Sequence, residues 1–346
     1  MFKYSFQNDY SEGAHPQIIE ALAKTNFIQD LGYGEDRFCL EAAGEIRNAT
    51  GNPEADVHFV SGGTQANLIL LSSFLRPFES VIAVDTGHIF VHEAGAIEMT
   101  GHKVHALHSL DGKLNAHGIE VVCAEHTDEH MVRPRVVYIS HSTEIGTIYS
   151  ETELREISET CKKSNLILYL DGARLGSALT SRKADIDLPT LSSLVDAFYI
   201  GGTKNGALLG EALVINNPEL MPDFRYLIKQ KGGLLSKGRI LGIQFLELFR
   251  KDLFFDLARH ANEMAEKLVT GITGLGYSFQ SDSPTNQIFP IFPNKIIEPL
   301  NQLYCFYVWR KIDDDQSSVR LVTSWATPEK AIDEFLVDLK EIGKQK

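Results

Sequence analysis

Residues 166–170, Leu-Ile-Leu-Tyr-Leu, form an unbroken apolar run that ends on Asp171. A strand that is apolar at every position has no face to show to water, so it belongs inside a sheet covered on both sides. That requirement selects an α/β architecture, with helices packed on both faces of a mainly parallel sheet. Further short apolar runs at 57–60, 81–84, 136–139, 197–200 and 212–215 read as strands of the same sheet. Helical patterns fall between some of them. One covers 68–75, and another covers 151–163 with Leu154, Ile157 and Cys161 on one face. Strands alternating with helices indicate βαβ units.

The pattern changes after Arg239. Residues 240–260 are rich in Leu, Phe and acids at helical spacing, and 261–275 continue the helix to a stop at Gly274-Leu275-Gly276. Then come strand-like segments at 277–280, 287–292 and 319–323, and a last helix over 328–342. The expected organisation is a large α/β domain over 1–245, N-terminal arm included, and a small α+β domain with its own sheet over 246–346. Two domains suit a chain of 346 residues.

Charge narrows the partners. The chain has 33 Lys+Arg against 46 Asp+Glu, a formal net charge of −13. Nucleic acid needs clustered basic residues, so it is not expected as a partner. No apolar stretch approaches the ~18 residues that cross a bilayer, and the N-terminus has no leader-like apolar core; a cytoplasmic protein is expected. Four widely spaced cysteines fit reduced thiols. His102, His105 and His108 recur every three residues, and His88, His92 and Glu93 lie close together. Period three does not place imidazoles on one side of a strand, and no H-E-x-x-H occurs, so no metal is expected.

Four motifs carry chemistry. Ser61-Gly62-Gly63-Thr64 follows a strand and opens a helix, where free N–H groups and the helix dipole can hold a phosphate. Alone, it also fits a plain strand-to-helix turn. Asp171-Gly172-Ala173-Arg174 ends the apolar strand, and ligands of open α/β sheets bind outside the carboxyl ends of strands. Gly201-Gly202-Thr203-Lys204-Asn205 places a lysine at another strand end, where desolvation favours Schiff-base chemistry. Val319-Arg320-Leu321 sets an arginine among apolar residues, a candidate carboxylate clamp. A phosphate turn, an acid, a lysine and an arginine in this order match what a pyridoxal phosphate (PLP) enzyme needs.

The segments Gly32-Tyr33-Gly34-Glu35-Asp36, Gly63-Thr64-Gln65-Ala66-Asn67, His88-Ile89-Phe90, Asp171-Gly172-Ala173-Arg174 and Arg320-Leu321-Val322-Thr323 resemble the L-threonine aldolase / β-eliminating lyase family of PLP enzymes. The resemblance covers nearly the whole chain. Residues 142–149, 203–206 and 319–327 resemble the branch containing phenylserine aldolase. The resemblance implies fold type I, the aspartate aminotransferase class, with a mainly parallel seven-stranded sheet. It implies PLP as cofactor and a homo-oligomer, either a dimer or a dimer of dimers (homotetramer).

Residue by residue, it implies that Lys204 carries PLP covalently, Asp171 pairs with the pyridine nitrogen, and His88 stacks on the ring. Gly63 and Thr64 would contact the phosphate. Arg174 and Arg320, helped by Asn8, would bind the substrate carboxylate. Tyr33 and Arg239 would reach a site in part across a subunit interface, Arg239 towards the cofactor. His130 falls where the family carries a second active-site histidine, so His88 or His130 would be the general base. The implied reaction cleaves L-threonine, L-allo-threonine or phenylserine to glycine and an aldehyde. A β-elimination giving pyruvate and ammonia is the alternative, and a PLP-binding protein without turnover is a third reading.

The chain departs from the family pattern at three places. Asn8 stands where Ser is common. Ser140-His141-Ser142-Thr143-Glu144 replaces Glu-Asn-Thr-His-Asn. Thr203-Lys204-Asn205 replaces Ser-Lys-Gly. These positions bear on which side chain the substrate carries.

Overall fold

The computed structural model describes residues 2–344. Its centre is a seven-stranded sheet. The strands are β1 (Asp56–Val60), β2 (Glu79–Val84), β3 (Lys103–Leu107), β4 (Arg133–Ser140), β5 (Ile167–Asp171), β6 (Ala197–Gly201) and β7 (Glu211–Ile215), in the spatial order β1-β7-β6-β5-β4-β2-β3. Strand β7 runs antiparallel to both β1 and β6; the remaining pairings are parallel. Only residues 202–210 join β6 to β7, too few for the dozen-residue crossover that a parallel return needs.

Both faces of the sheet are buried, and alternation sorts the side chains. Val137, Ile139, Leu168, Leu170, Phe198 and Ile200 enter one core cluster, while Val136, Tyr138, Ile167, Tyr169, Ala197 and Tyr199 enter the other. Asp171 has the parity of Tyr169, so it emerges on the face that carries three tyrosines.

The expected helix across 240–275 is two helices, Arg239–Phe249 and Leu253–Gly274. The break falls on Arg250-Lys251-Asp252, with Asp252 at φ +55°, a left-handed conformation that Asp tolerates. Two helices not read from the sequence, Pro16–Thr25 and Arg37–Thr50, pack near Arg239–Phe249.

A second, antiparallel sheet contains β8 (Gln287–Ile288), β9 (Ile291–Pro293), β10 (Tyr307–Lys311) and β11 (Gln316–Val322), with β11 pairing all three others. The expected strand at 277–280 is a single bridge, Phe279 to Pro290. A third core cluster joins this sheet to Met264, Leu268, Ile272, Ile332 and Phe335. Phe6 belongs to it too, because Tyr4–Ser5 pairs in parallel with Tyr304–Cys305. The N-terminal arm is thereby held on the C-terminal unit, and the residues after it touch both sheets: the Gln7 carbonyl accepts from Arg320 of β11, and Asp9 meets Arg174, just past β5.

Candidate active site

The parallel strands end along one edge. Ser140 of β4 and Asp171 of β5 are partners in register, and Gly201 of β6 lies opposite Glu211, the first residue of the reversed β7. Gly172 lets these ends converge: a Cβ there would lie 1.9 Å from the Tyr199 carbonyl oxygen.

Asp171 is 4% exposed and richly bonded. Tyr138 and Tyr199 donate their hydroxyls to its two oxygens at 2.6 and 2.5 Å, Asn67 Nδ2 donates at 3.1 Å, and the Ala173 N–H at 3.0 Å. Burial alone would raise this carboxyl. The charge of His88 and the two tyrosine hydroxyls outweigh burial and hold it below its ordinary value. Asn67 also donates to Glu93 Oε1 at 2.7 Å and accepts from the Tyr169 hydroxyl at 2.6 Å. Glu93 Oε1 in turn holds His88 Nδ1 at 2.8 Å. One amide thus ties Asp171, Glu93 and His88 into a single network.

Beside this network opens a pocket of about 490 Å³, lined by His88, His92, Glu144, Arg174, Lys204 and Arg320, with Tyr10, Gln287, Tyr307, Val308 and Trp309 completing the wall. Lys204 sits in a turn pinned by the Asn205 N–H to the Gly202 carbonyl at 2.9 Å and by Asn205 Nδ2 to the Phe254 carbonyl at 2.7 Å. Burial lowers its pKa and Arg174 adds to that, against the opposing charges of Asp9, Asp171 and Glu211. Burial also raises Glu211, which accepts from the Gly202 N–H at 3.0 Å.

The two arginines differ. Arg174 gives Nε and Nη2 to Asp9 at 2.7 and 3.0 Å, so a fully buried carboxylate already balances it. Arg320 donates Nη2 to the Gln7 carbonyl at 3.3 Å, and its buried Nε has no partner among the described residues.

The helix Gly63–Phe74 begins nearby, for a Cβ on Gly63 would stand 3.1 Å from the Tyr199 hydroxyl. Its cap, Gly62, offers no side-chain bond. The first-turn N–H groups, Gly63 and Thr64 among them, are therefore available to an anion. A phosphate cup, an ionised acid, a lysine of lowered pKa and an orphaned guanidinium N–H together fit PLP and an amino-acid carboxylate.

Three expected site residues fall elsewhere in this chain, and a fourth, Asn8, lies beside the pocket with its side chain turned to its own loop. His130 is exposed and precedes β4, at the end of the sheet opposite Asp171. A strand of β4's length separates it from the site, so it cannot act on this pocket from within the same chain. Tyr33 is 45% exposed, takes φ +59° and lies under the Lys229 ammonium, on the wall of a different pocket. Arg239 donates to the carbonyls of Thr25 and Ile28 and stacks on Phe38. Asn8 Oδ1 caps its own turn through the Tyr10 N–H and the Ser11 hydroxyl; the neighbouring Asp9 is what meets Arg174. His88, Asp171, Arg174, Lys204 and Arg320 do come together. Among the described residues no cluster of His, Cys, Asp or Glu could hold a metal. His102, His105 and His108 bond separately to Glu79, Ser80 and Asp85 along β2 and just past it.

Sequence reading missed Asp9, Tyr138, Tyr199, Glu93, His92 and Glu144 as site residues. A signal existed for two of them. Tyr138 and Tyr199 lie in apolar strands with the parity of Asp171, and a buried phenol needs a partner.

The chain is similar to known proteins over nearly its whole length. Residues 8–293 match the family model described as beta-eliminating lyase. A low specificity L-threonine aldolase of a Pseudomonas species is 33% identical over 97% of both chains, and one of Pseudomonas aeruginosa is 31% identical over 97% of this chain and 96% of its own. The solved threonine aldolase of Leishmania major superposes with a TM-score of 0.97 at 49% identity, covering 98% of this chain and 99% of that one. Aspartate aminotransferase from Thermus thermophilus shares the fold, with a TM-score of 0.73 at 16% identity. The chain therefore belongs to the beta-eliminating lyase family: it is a PLP-dependent lyase of fold type I.

Proposed function

We propose that the enzyme cleaves a β-hydroxy-α-amino acid, L-threonine, L-allo-threonine or the bulkier phenylserine, into glycine and an aldehyde. The observation that carries this reading is the meeting of Lys204, His88 and the carboxylate-free Arg320 around one pocket beside Asp171. The names of the Pseudomonas and Leishmania relatives support the same substrate class.

Lys204 would bind PLP; burial and the neighbouring Arg174 lower its pKa, which favours the neutral, nucleophilic amine. Asp171 would hold a proton on the ring nitrogen. The N-terminus of helix Gly63–Phe74 would receive the phosphate. PLP held there would supply an electron sink for cleavage of the Cα–Cβ bond. Arg320 would take the substrate carboxylate and orient the amino acid. His88 has Nδ1 fixed by Glu93, which leaves Nε2 to accept the β-hydroxyl proton. His92 stands beside it, ring centres 5.6 Å apart, as a second imidazole lining this chain's pocket.

We also propose a homodimer or dimer of dimers in a reducing, cytoplasmic setting. Phe27, Leu31, Tyr33 and Leu40 are exposed on the side that carries Arg239, and the four cysteines are free. Partner copies would bring Tyr33 and Arg239 to each other's pockets.

The test assays purified, PLP-loaded protein with the three amino acids. Glycine with acetaldehyde or benzaldehyde is expected, and the three rates rank the substrates. Pyruvate with ammonia and no glycine would sink the aldolase reading in favour of β-elimination. Lys204→Ala should abolish the visible cofactor absorbance; a retained band would remove that lysine's role.

A further inference from the structure

Arg320 is held in an unusual way. Its guanidinium lies 5.3 Å from the Tyr307 ring centre and 5.0 Å from that of Trp309. Tyr307 is its cross-strand partner in register. The pairing of β10 with β11 then shifts between Val308 and Arg310, leaving Trp309 out of the ladder. Such a bulge re-aims a side chain. Here both aromatic rings reach the same arginine, and the Trp309 ring is braced by buried Phe289 at 5.4 Å in an edge-to-face contact.

Ring faces attract a guanidinium without neutralising it. A carboxylate partner would, as Asp9 does for Arg174. The rings accept no N–H hydrogen bond from the guanidinium in its plane, so apart from Nη2, which donates to the Gln7 carbonyl, its terminal N–H groups have no carboxylate to satisfy them.

We propose that Trp309 and Tyr307 are positioning residues: they hold Arg320 charged at the pocket wall without a carboxylate, so that its N–H groups are reserved for the substrate carboxylate. This rests on the reading of Arg320 as the carboxylate receptor. The aromatic faces stand where a carboxylate would have consumed the charge, and the bulge is the local distortion that brings the second ring in.

The experiment measures glycine binding to the PLP-loaded protein, by the change in visible absorbance, together with KM and kcat for L-threonine. Glycine has no β-carbon, so it reports binding without cleavage. The variants are Trp309→Ala, Trp309→Leu, Trp309→Phe and Arg320→Ala. Trp309→Ala and Trp309→Leu should each weaken glycine binding about tenfold, equivalent to about 1.4 kcal/mol, and raise KM alike with kcat within about twofold. Trp309→Phe should recover most of the loss, since it keeps a ring face in a smaller volume. Leu as good as Phe would overturn the proposal, because the site would then need bulk and not a ring face. Unchanged binding in Trp309→Ala would overturn it as well. Arg320→Ala separates the premises: if glycine binding survives that change, the Arg320 reading itself has failed, whereas loss in Arg320→Ala with none in Trp309→Ala rejects the aromatic clamp alone. A fluorescence check uses the small number of indoles. Only Trp309 and Trp325 occur, so a Trp325→Phe background should show glycine-dependent emission from Trp309. An unresponsive emission would place Trp309 away from the bound carboxylate and count against the proposal.

Discussion

Replacing Asn67 by Ala tests the network beneath the site. Asn67 is 0% exposed and its amide makes three short bonds, to Glu93, to Asp171 and from the Tyr169 hydroxyl. Two of these reach carboxylates, worth about 1.5–3 kcal/mol each, and the third joins neutral groups, worth about 1 kcal/mol. The terms are not additive, and a water can enter the space, so the expected loss is about 3 kcal/mol. That is a large share of the roughly 5–15 kcal/mol that keeps a protein folded. Urea unfolding at fixed protein and PLP concentration gives the number. Tyr169→Phe is the reference, since it removes only the neutral bond and should cost about 1 kcal/mol. Asn67→Asp adds a carboxylate beside two others, which raises its folded-state pKa above the unfolded value. The penalty is then absent at acid pH, where the new group is protonated in both states. It grows as pH rises through the carboxylate range, so Asn67→Asp should approach Asn67→Ala in acid and fall below it at neutral pH. A loss under about 1 kcal/mol in Asn67→Ala, or an Asp variant as stable as the parent at neutral pH, would refute the network as drawn.

Three further outcomes are expected. Burial raises the Glu144 carboxyl despite the Ser140 hydroxyl that donates to it at 2.7 Å, so the folded protein favours its neutral form and stability is lost as pH rises past its ordinary range; Glu144→Gln should flatten that loss in a melting series from mildly acid to alkaline pH. Gly172→Ala sets a Cβ against the Tyr199 carbonyl and should prevent soluble expression or cost several kcal/mol, read by thermal unfolding. Arg174→Ala strands a buried Asp9 and should cost about 3–5 kcal/mol of stability, whereas Arg320→Ala should raise KM with a small change in melting temperature, because no buried carboxylate loses its partner.

The strands that form the centre of the sheet were legible because they are buried on both faces and so apolar throughout. Strand β3 was not. It is an edge strand whose Lys103 is exposed and whose His105 bonds sideways to Ser80, so its composition carries neither an apolar run nor clean alternation. The reversal of β7 is a matter of loop length, and an apolar run looks the same in either direction. The break at Asp252 was hidden because the apolar spacing continues across it. Among the site residues, the charged partners at strand ends, Asp171 and Lys204, stood out against apolar neighbours. Asp9 did not, since nothing in an N-terminal Gln-Asn-Asp-Tyr says that it will cross to Arg174. His130 illustrates a different limit: a motif position transfers a residue type, while the sheet topology decides which residues reach the pocket of their own chain.

The reversed strand has a consequence for charge. A parallel β7 would begin at the far edge of the sheet, and Glu211, its first residue, would sit away from Lys204. Antiparallel, it returns Glu211 to the edge that carries Gly201 and Lys204. Burial lowers Lys204 and raises Glu211, so each is pushed towards its neutral form. Asp171 is driven the other way and stays ionised. Arg174 is cancelled by Asp9. What remains uncompensated is one fixed cation, Arg320, and one set of free helix N–H groups at Gly63. Those are two separate anion receptors at the strand ends that carry the lysine, and a phosphorylated aldehyde cofactor with an amino-acid substrate brings two separate anions to meet them.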